Sequence, residues 1–215
     1  MNFLQQLIRE GKKMKSIRKQ TDKVIQLPEP SSDGEMSVEA ALAKRESLRH
    51  FTALPLTLSQ ISQVLWAAQG ITRNWGGRTT PSAGALYPLE LYLALLDGFF
   101  HYIPYNHQLA RISDSNFIED LAAAALGQQC IRESSAVVVI AAVYKRTEQK
   151  YGRRGERYVK IEAGHAAQNI LLQAVSRGIG AVPVGAFYDE DVRKVLRLPS
   201  DHEPLYLIPL GHARK

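Results

Sequence analysis

Two arginines of this 215-residue chain lie four residues apart and flank a hydroxyl group, in the segment Arg45-Glu46-Ser47-Leu48-Arg49. A guanidinium fork binds two phosphate oxygens at once, so Arg45, Ser47 and Arg49 have the chemistry to hold a phosphate or a polyhydroxy chain. We expect the segment at the end of a helix, where residues four apart share one face. The alternative is a solvated helix end with Glu46 as counter-ion, and the motif taken alone favours it.

A loop of small residues forms the second candidate, Pro81-Ser82-Ala83-Gly84-Ala85-Leu86-Tyr87-Pro88. A glycine among small side chains lets the backbone approach a flat or charged ligand closely, and the two prolines fix the directions of entry and exit. The next residues, 89 to 96, are apolar enough for a buried strand. Because shaped loops ahead of a sheet commonly serve sites, we expect this loop to line one, with the ligand left open.

Cations crowd a third segment, which we expect to be a loop between a buried strand at 136–143 and a long helix from about 156 to 177. Three tyrosines accompany them. The cations are Lys145, Arg146, Lys150, Arg153, Arg154 and Arg157, and the tyrosines are Tyr144, Tyr151 and Tyr158. Mutual repulsion among cations lowers the pKa of a lysine and eases proton transfer. The alternative, favoured by composition alone, is a solvated basic loop.

Other patterns do not indicate chemistry. Gly178-Ile179-Gly180 follows a predicted helix and enters a strand, the reverse of a dinucleotide-binding fingerprint. Glu162 and His165 have the i, i+3 spacing of half a metal site, but the sequence lacks the second pair that a two-metal site needs. We interpret them as a satisfied polar patch on a packed helix. Cys130 has no recognisable nucleophile signature. The sequence therefore predicts no metal and no hydrolase chemistry.

Composition indicates one globular domain, with 45% hydrophobic and 22% charged residues. The single cysteine excludes an intrachain disulfide and suits a reducing compartment. The sequence has no apolar run long enough to span a membrane and no secretory signal. We therefore expect a cytoplasmic protein without a membrane span.

The net charge of +6 is concentrated at the N-terminus, where residues 1–23 hold seven basic and two acidic side chains. We divide the chain into a basic arm and linker at 1–37 and a folded domain at 38–215. A basic arm could touch nucleic acid or an anionic membrane, but no nucleic-acid-binding motif accompanies it. The preferred interpretation is a solvated or dimer-exchanged arm, with no nucleic-acid partner.

Hydrophobic periodicity and capping signals predict a mixture of helices and strands with one hairpin, which indicates an α+β fold in layers. A helix is expected to begin at Thr57 or Ser59 and to end at Gly70, and a hairpin to turn at Asp97-Gly98. The other expected helices are 38–46, 116–126, 156–177 and 189–196, and the expected strands are 89–96, 99–102, 136–143, 181–187 and 205–210.

Taken together, these segments resemble the nitroreductase superfamily of flavin proteins, and above all its SagB-type branch, which includes thiazoline and oxazoline dehydrogenases. The resemblance runs from about Lys44 to Gly211. It rests on six segments in order: Arg45-x-Ser47-x-Arg49-x-Phe51, Leu65 to Gly70, Pro81 to Pro88, Lys150-Tyr151-Gly152-x-Arg154-x-x-Arg157-Tyr158, Glu162-x-Gly164-His165-x-x-Gln168-Asn169, and Val182 to Phe187.

The resemblance implies a layered α/β/α fold with a central, mostly antiparallel sheet, in an intertwined homodimer that binds FMN at its interface. One subunit would supply the phosphate and ribityl contacts and the segment lining the flavin ring, and the other would supply the small-residue loop. The implied cofactor-binding residues are Arg45, Ser47, Arg49, Val184, Gly185, Ala186 and Arg214 from one subunit and Pro81, Ser82, Ala83 and Gly84 from the other.

The resemblance also implies an FMN-dependent oxidoreductase that works by hydride transfer at flavin N5. Lys150 and Tyr151 stand where the azoline dehydrogenases place proton-handling residues, so a thiazoline or oxazoline in a small molecule or a modified peptide is one expected substrate. An NAD(P)H-dependent nitro or quinone reductase is the alternative, and a non-catalytic flavin-fold partner in a biosynthetic complex is another.

Overall fold

The computed structural model describes residues 24–214, and its centre is a seven-stranded antiparallel sheet in the order β1-β4-β3-β2-β5-β7-β6. The strands are β1 (Val24–Gln26), β2 (Leu89–Leu95), β3 (Gly98–Ile103), β4 (Gln108–Ser113), β5 (Ala136–Ala142), β6 (Gly180–Ala181) and β7 (Glu203–Gly211). The helices are α1 (Val38–Lys44), α2 (Leu58–Gln69), α3 (Ile118–Ala124), α4 (Gln129–Arg132), α5 (Lys145–Tyr151), α6 (Arg154–Ser176) and α7 (Asp189–Leu196).

The central strands bury both of their faces, because successive side chains of a strand point to opposite sides. Leu91 and Leu93 of β2 pack in the core beneath α2 and α6. Tyr92 and Ala94 of the same strand pack in a second core beneath α3, α4 and α7. Every residue of β5 is buried. The sheet is therefore covered by helices on both sides, which confirms the layered α+β architecture.

The two long helices on the first face have the boundaries and faces expected from their sequences. Thr57 caps α2, since its hydroxyl accepts the N–H of Gln60 while the Gln60 side chain accepts the N–H of Thr57. Gly70 follows the last residue of α2. The apolar stripe of α6 is buried along its length at Val159, Ala163, Ala166, Ile170 and Ala174.

Five elements differ from the expected ones. Helix α4 was not expected, and β6 covers only Gly180–Ala181 where a strand at 181–187 was expected. The basic segment expected as a loop is the helix α5, in which Lys, Arg, Gln and Glu are good helix formers and Gly152, with a φ of 55°, ends the turn. β4 was not expected, because its alternation of apolar residues is weak. The edge strand β1 pairs with it, and Leu27 is buried in the first core. Residues 24–26 thus belong to the sheet and Leu27 to the core, although the sequence placed them in the arm and linker, and residues 1–23 lie outside the described part.

Between residues 24 and 214, none of the helices has both the length and the apolar character needed to cross a membrane.

Candidate active site

The segment that carries Arg45, Ser47 and Arg49 is extended rather than helical. Helix α1 ends at Lys44, and Arg45 has φ −61° and ψ 120°. The prediction that Arg45 and Arg49 share one face of a helix is therefore wrong. Alternate residues of an extended chain also point to the same side, however. The intervening Leu48 donates its N–H to the carbonyl of Ala181 at 3.1 Å, which fastens the segment beside β6.

The C-terminal Arg214 lies against this segment. The backbone N–H of Arg214 donates to the carbonyl of His50 at 3.0 Å, and its guanidinium Nη2 donates to the carbonyl of Phe51 at 2.8 Å. Glu133 links the two segments of the chain, since it accepts the N–H of Phe51 at 3.2 Å and faces Arg214 Nη2 at 3.4 Å. The hydrogen bond from Gln129, followed by that from Phe51, holds the pKa of Glu133 below its ordinary value. Arg214 is therefore held against the segment that follows Arg49, with Glu133 as its ion-pair partner.

The segment 182–186 runs along the same end of the sheet. Val184 exchanges two backbone hydrogen bonds with Leu207 of β7, at 2.8 and 3.0 Å. The carbonyl of Ala186 accepts a hydrogen bond from Gln128 at 2.8 Å, whereas Gly185 and Ala186 are themselves exposed. A flat ligand can thus reach this backbone. We call Arg45, Ser47, Arg49, Arg214 and residues 184–186 together the clamp half.

The loop 81–88 lies instead against α5. Gly84 has a φ of 63°, and a Cβ at this position would meet Tyr151 Oη at 2.8 Å and Lys150 Nζ at 3.0 Å. Glycine therefore lets the loop backbone approach the ends of these two side chains closely. The sequence motifs at 81–84 and 150–151, 66 residues apart, meet in space. We call residues 81–87 with Lys150 and Tyr151 the loop half.

The backbone of this loop is strained, because Ala85 and Tyr87 have positive φ values of 54° and 47° without being glycine. Strain of this kind persists only where surrounding contacts hold it, and it clusters at functional sites. Here the Tyr87 N–H donates to Ser82 Oγ at 2.9 Å, and the Tyr87 hydroxyl accepts the N–H of Arg78 at 3.2 Å. The guanidinium of Arg78 lies 4.5 Å from the centre of the Tyr87 ring.

Glu162 of α6 lies beneath the loop and is 3% exposed. Burial raises the pKa of its carboxyl to about 7, against the opposing effects of a hydrogen bond with Ser82 and the charge of Arg78. One oxygen, Oε1, has no hydrogen-bond partner among the described residues. The interpretation of Glu162 as part of a satisfied polar patch is therefore wrong. No sequence pattern indicated Arg78, which pairs with Gln69 and Tyr87 through the folding of its own loop.

Glu90 lies at the other end of the loop and shows the opposite behaviour. Burial raises its pKa, but hydrogen bonds from His101 and Arg146 outweigh burial and bring the pKa down to about 2. Arg146 also donates to the carbonyl of Tyr87 at 3.1 Å, so the ion pair fixes the end of the loop.

The two halves of the candidate site lie near different ends of α6. Ser82 contacts Glu162, whereas Leu48 shares a cavity of about 150 Å³ with Leu171 and Val175. At 1.5 Å per residue, Glu162 and Val175 are separated by roughly 20 Å along the helix axis. Within one chain the structure thus brings together the members of each half but keeps the halves apart.

The clamp half fits the phosphate of the FMN that the sequence resemblance implies. Between residues 24 and 214, no carboxylate lies within salt-bridge distance of Arg45 or Arg49. Two unneutralised guanidinium groups, a hydroxyl and the nearby Arg214 form a donor set that favours an anion with several oxygens. The exposed backbone at Gly185 and Ala186 has space for a flat ring beside it.

Comparisons with known proteins give a consistent result. A sequence model described as the nitroreductase family matches residues 42–212. The chain is 46% identical over 193 residues to Methanocaldococcus jannaschii MJ1384, which is provisionally named a nitroreductase; the match covers 87% of this chain and 95% of that one. A crystal structure provisionally described as a nitroreductase, from Ralstonia eutropha JMP134, aligns with a TM-score of 0.79 and 31% identity, over 90% of this chain and 91% of that one. The microcin B17-processing protein McbC of Escherichia coli is 27% identical over 133 residues, 56% of this chain and 48% of McbC.

Proposed function

The chain belongs to the nitroreductase family, and from this we propose that it is an FMN-dependent oxidoreductase whose FMN lies between the clamp half of one subunit and the loop half of another. The observation that carries the proposal is the pair of unneutralised guanidinium groups, Arg45 and Arg49, on a segment that the hydrogen bond from Leu48 to Ala181 fastens to the chain leading into the exposed Gly185 and Ala186. A phosphate neutralises unpaired guanidinium groups through charge-assisted hydrogen bonds, and the FMN phosphate is the anion that the family supplies.

The separation of the two halves along α6 supports a dimeric site. Proteins of this family are typically dimers. Beside the loop half, α6 exposes Ile161 at 45%, and further towards the clamp half Gly164 has open space where a Cβ would lie. If two copies pack these helices antiparallel, the clamp half of each chain comes to the loop half of the other. A C2 interface of this kind uses the same surface on both subunits.

When bound, FMN would supply hydride transfer through its N5 atom, as flavin cofactors do. In our proposal Arg45, Ser47, Arg49 and Arg214 hold the phosphate end. The loop half covers the reacting end, where Lys150 Nζ and Tyr151 Oη are the atoms that hold or deliver a proton. The approach of Lys150 Nζ and Tyr151 Oη to the loop at Gly84 supports this role, because these two atoms would lie near FMN wherever the loop does.

Two candidate reactions differ in the substrate. The Lys150-Tyr151 pair beneath the loop, with the similarity to McbC, favours a SagB-type oxidation of a thiazoline or oxazoline. The stronger similarity to MJ1384 favours an NAD(P)H-dependent reduction of a nitro compound or a quinone. A non-catalytic flavin-fold partner is the least favoured candidate, because a scaffold has no need for the unneutralised Arg45 and Arg49.

Purification tests the proposal. We expect a yellow protein that releases FMN on denaturation, with one FMN per chain after reconstitution and a molecular mass of two chains by light scattering. A colourless protein that cannot be reconstituted with FMN would contradict the proposal. Stopped-flow reduction by NADH or NADPH, compared with anaerobic reduction by a thiazoline peptide, then separates the two candidate reactions.

A further inference from the structure

Four exposed cations form a basic corner where α5 ends and α6 begins: Lys150, Arg153, Arg154 and Arg157. None of them lies within salt-bridge distance of a carboxylate anywhere in residues 24–214. The two acidic neighbours do not neutralise them, since Glu156 pairs with Lys160 and Glu148 makes no ion pair in the same range. The corner thus keeps its positive charge.

The position of these cations opposes the local electrostatics of the fold. Arg153 precedes α6 and Arg154 begins it, at the end of a 23-residue helix where the backbone dipole is positive and acidic side chains are favoured. Sequences that depart from a local rule without a compensating contact commonly do so at functional sites. An anion bound here would satisfy both the guanidinium groups and the helix N-terminus.

The corner adjoins the residues proposed to handle protons. Lys150 belongs both to the corner and to the pair that lies under Gly84. Beside it, Arg153, Glu156, Arg157, Lys160 and Ile161 line an open cavity of about 470 Å³. An acidic group in this cavity would leave the remainder of the same molecule within reach of the loop half.

We propose that the reactant that exchanges electrons with the flavin carries a phosphate or carboxylate group, and that this group binds the basic corner. The inference rests on the proposed function and names the chemistry of its reactant. The acidic group has two possible sources, the 2′-phosphate of NADPH as electron donor or an acidic substrate, and the experiment separates them.

The test compares FMN-loaded wild-type protein with the double variant Arg154→Gln/Arg157→Gln. A matched control, Arg73→Gln/Lys194→Gln, removes two exposed cations elsewhere. KM is measured for NADPH against NADH, and for 4-nitrobenzoate against 4-nitrobenzyl alcohol. If the acidic group belongs to the electron donor, the KM of the double variant rises about tenfold for NADPH and for no other reactant. If it belongs to the substrate, the KM rises about tenfold for 4-nitrobenzoate instead. Loss of one hydrogen bond to a charged group has about this effect. The control should leave all four values unchanged.

Equal changes for the charged and uncharged members of both pairs would overturn the inference. Calorimetric titration with inorganic pyrophosphate provides a readout that is independent of turnover, because FMN occupies the clamp half in the loaded protein. We expect binding by wild type and control that the double variant loses. A wild-type protein that holds FMN but does not bind pyrophosphate would refute the basic corner while leaving the proposed function standing, whereas loss of FMN binding itself would refute the function.

Discussion

The clamp half and the loop half both present cations, but they are built differently. In the clamp half, extended segments at the sheet edge carry Arg45 and Arg49, and hydrogen bonds of ordinary length fix Arg214. The loop half instead combines positive φ values at two non-glycine residues with a buried carboxyl, Glu162, that leaves one oxygen without a partner. Strain and unsatisfied polar groups reduce stability, so their concentration in one half indicates where reactivity is located. We propose that the clamp half provides the affinity for FMN.

Loss of the clamp should have the largest effect on cofactor binding. For Arg45→Ala/Arg49→Ala we expect FMN affinity to fall by about 100-fold or more, because two hydrogen bonds between charged groups contribute roughly 3–6 kcal/mol. The melting temperature of the FMN-free protein should stay within a few degrees, since both side chains are partly or fully exposed. Fluorescence titration with FMN measures the affinity, and Arg73→Ala is the control. Unchanged FMN affinity would contradict the proposal that the clamp half binds FMN.

Loss of Lys150 should separate binding from turnover. We expect Lys150→Ala to retain FMN with unchanged affinity, while kcat for a proton-coupled substrate falls about 100-fold, the lower end for a lost general acid or base. If kcat were unchanged, Lys150 would be a solvated side chain of α5 and nothing more.

Glu162→Gln tests the buried carboxyl of the loop half through the pH dependence of stability. The pKa of Glu162 is raised to about 7 from an ordinary 4.5, so the folded state binds the proton more tightly, and wild-type stability falls as pH rises between these values. Glutamine carries no such penalty. The variant should therefore gain on wild type between pH 4.5 and 7, by at most about 3 kcal/mol at 1.36 kcal/mol per pKa unit. Urea denaturation at pH 5 and pH 8 measures the gain.

The matched carboxyl is Glu90, whose pKa is lowered to about 2 despite its burial. Its ionised form stabilises the folded state above pH 4.5, and that contribution is lost as pH falls towards 2. Glu90→Gln should therefore lose stability against wild type at pH 8, the opposite sign to Glu162→Gln. Equal signs for the two variants would show that the buried carboxyls do not differ as described.

The smallest expected effect compares two glycines of nearly equal φ, Gly84 at 63° and Gly178 at 67°. Alanine at either position should cost about 1–2 kcal/mol of stability, because L-residues disfavour this conformation. At Gly178 the added Cβ meets open space, whereas at Gly84 it meets Tyr151 and Lys150. Turnover should therefore fall severalfold in Gly84→Ala alone. Equal kinetics in the two variants would mean that the loop does not position the pair.

Local signals in the sequence were sufficient to predict the helices whose caps and hydrogen bonds are made by neighbouring residues. The capping residue Thr57 and the terminal Gly70 predicted α2, hydrophobic periodicity predicted α6, and the layered α+β architecture is confirmed. The edge strand β1 could not be predicted, because its three residues acquire partners only by pairing with a distant strand, β4. The helix α5 was not predicted, because its many charged residues indicated a solvated loop. The roles of individual site residues remain predictions that follow from the family resemblance.

Long-range geometry also explains what was missed in the site. The unpartnered oxygen of Glu162 depends on how α6 packs under the loop, which no spacing in the sequence encodes. The stacking of Arg78 on Tyr87 depends on how the loop itself folds. The same holds for the contact of Gly84 with Lys150, since 66 residues separate the two positions. The sequence motifs indicated Gly84 and Lys150 separately as candidate site residues, and only the fold shows that they lie close together.

A heterodimer tests most directly the claim that FMN lies between halves from two chains. One chain carries Arg45→Ala/Arg49→Ala and the other Lys150→Ala, each with its own affinity tag, and the mixed dimer is isolated by tandem purification. Each homodimer should be nearly inactive. The heterodimer has one site in which both halves are intact, so we predict about half of the wild-type turnover per dimer. A heterodimer no more active than the mean of the two homodimers would contradict the account, because it would place both halves of each working site in a single chain.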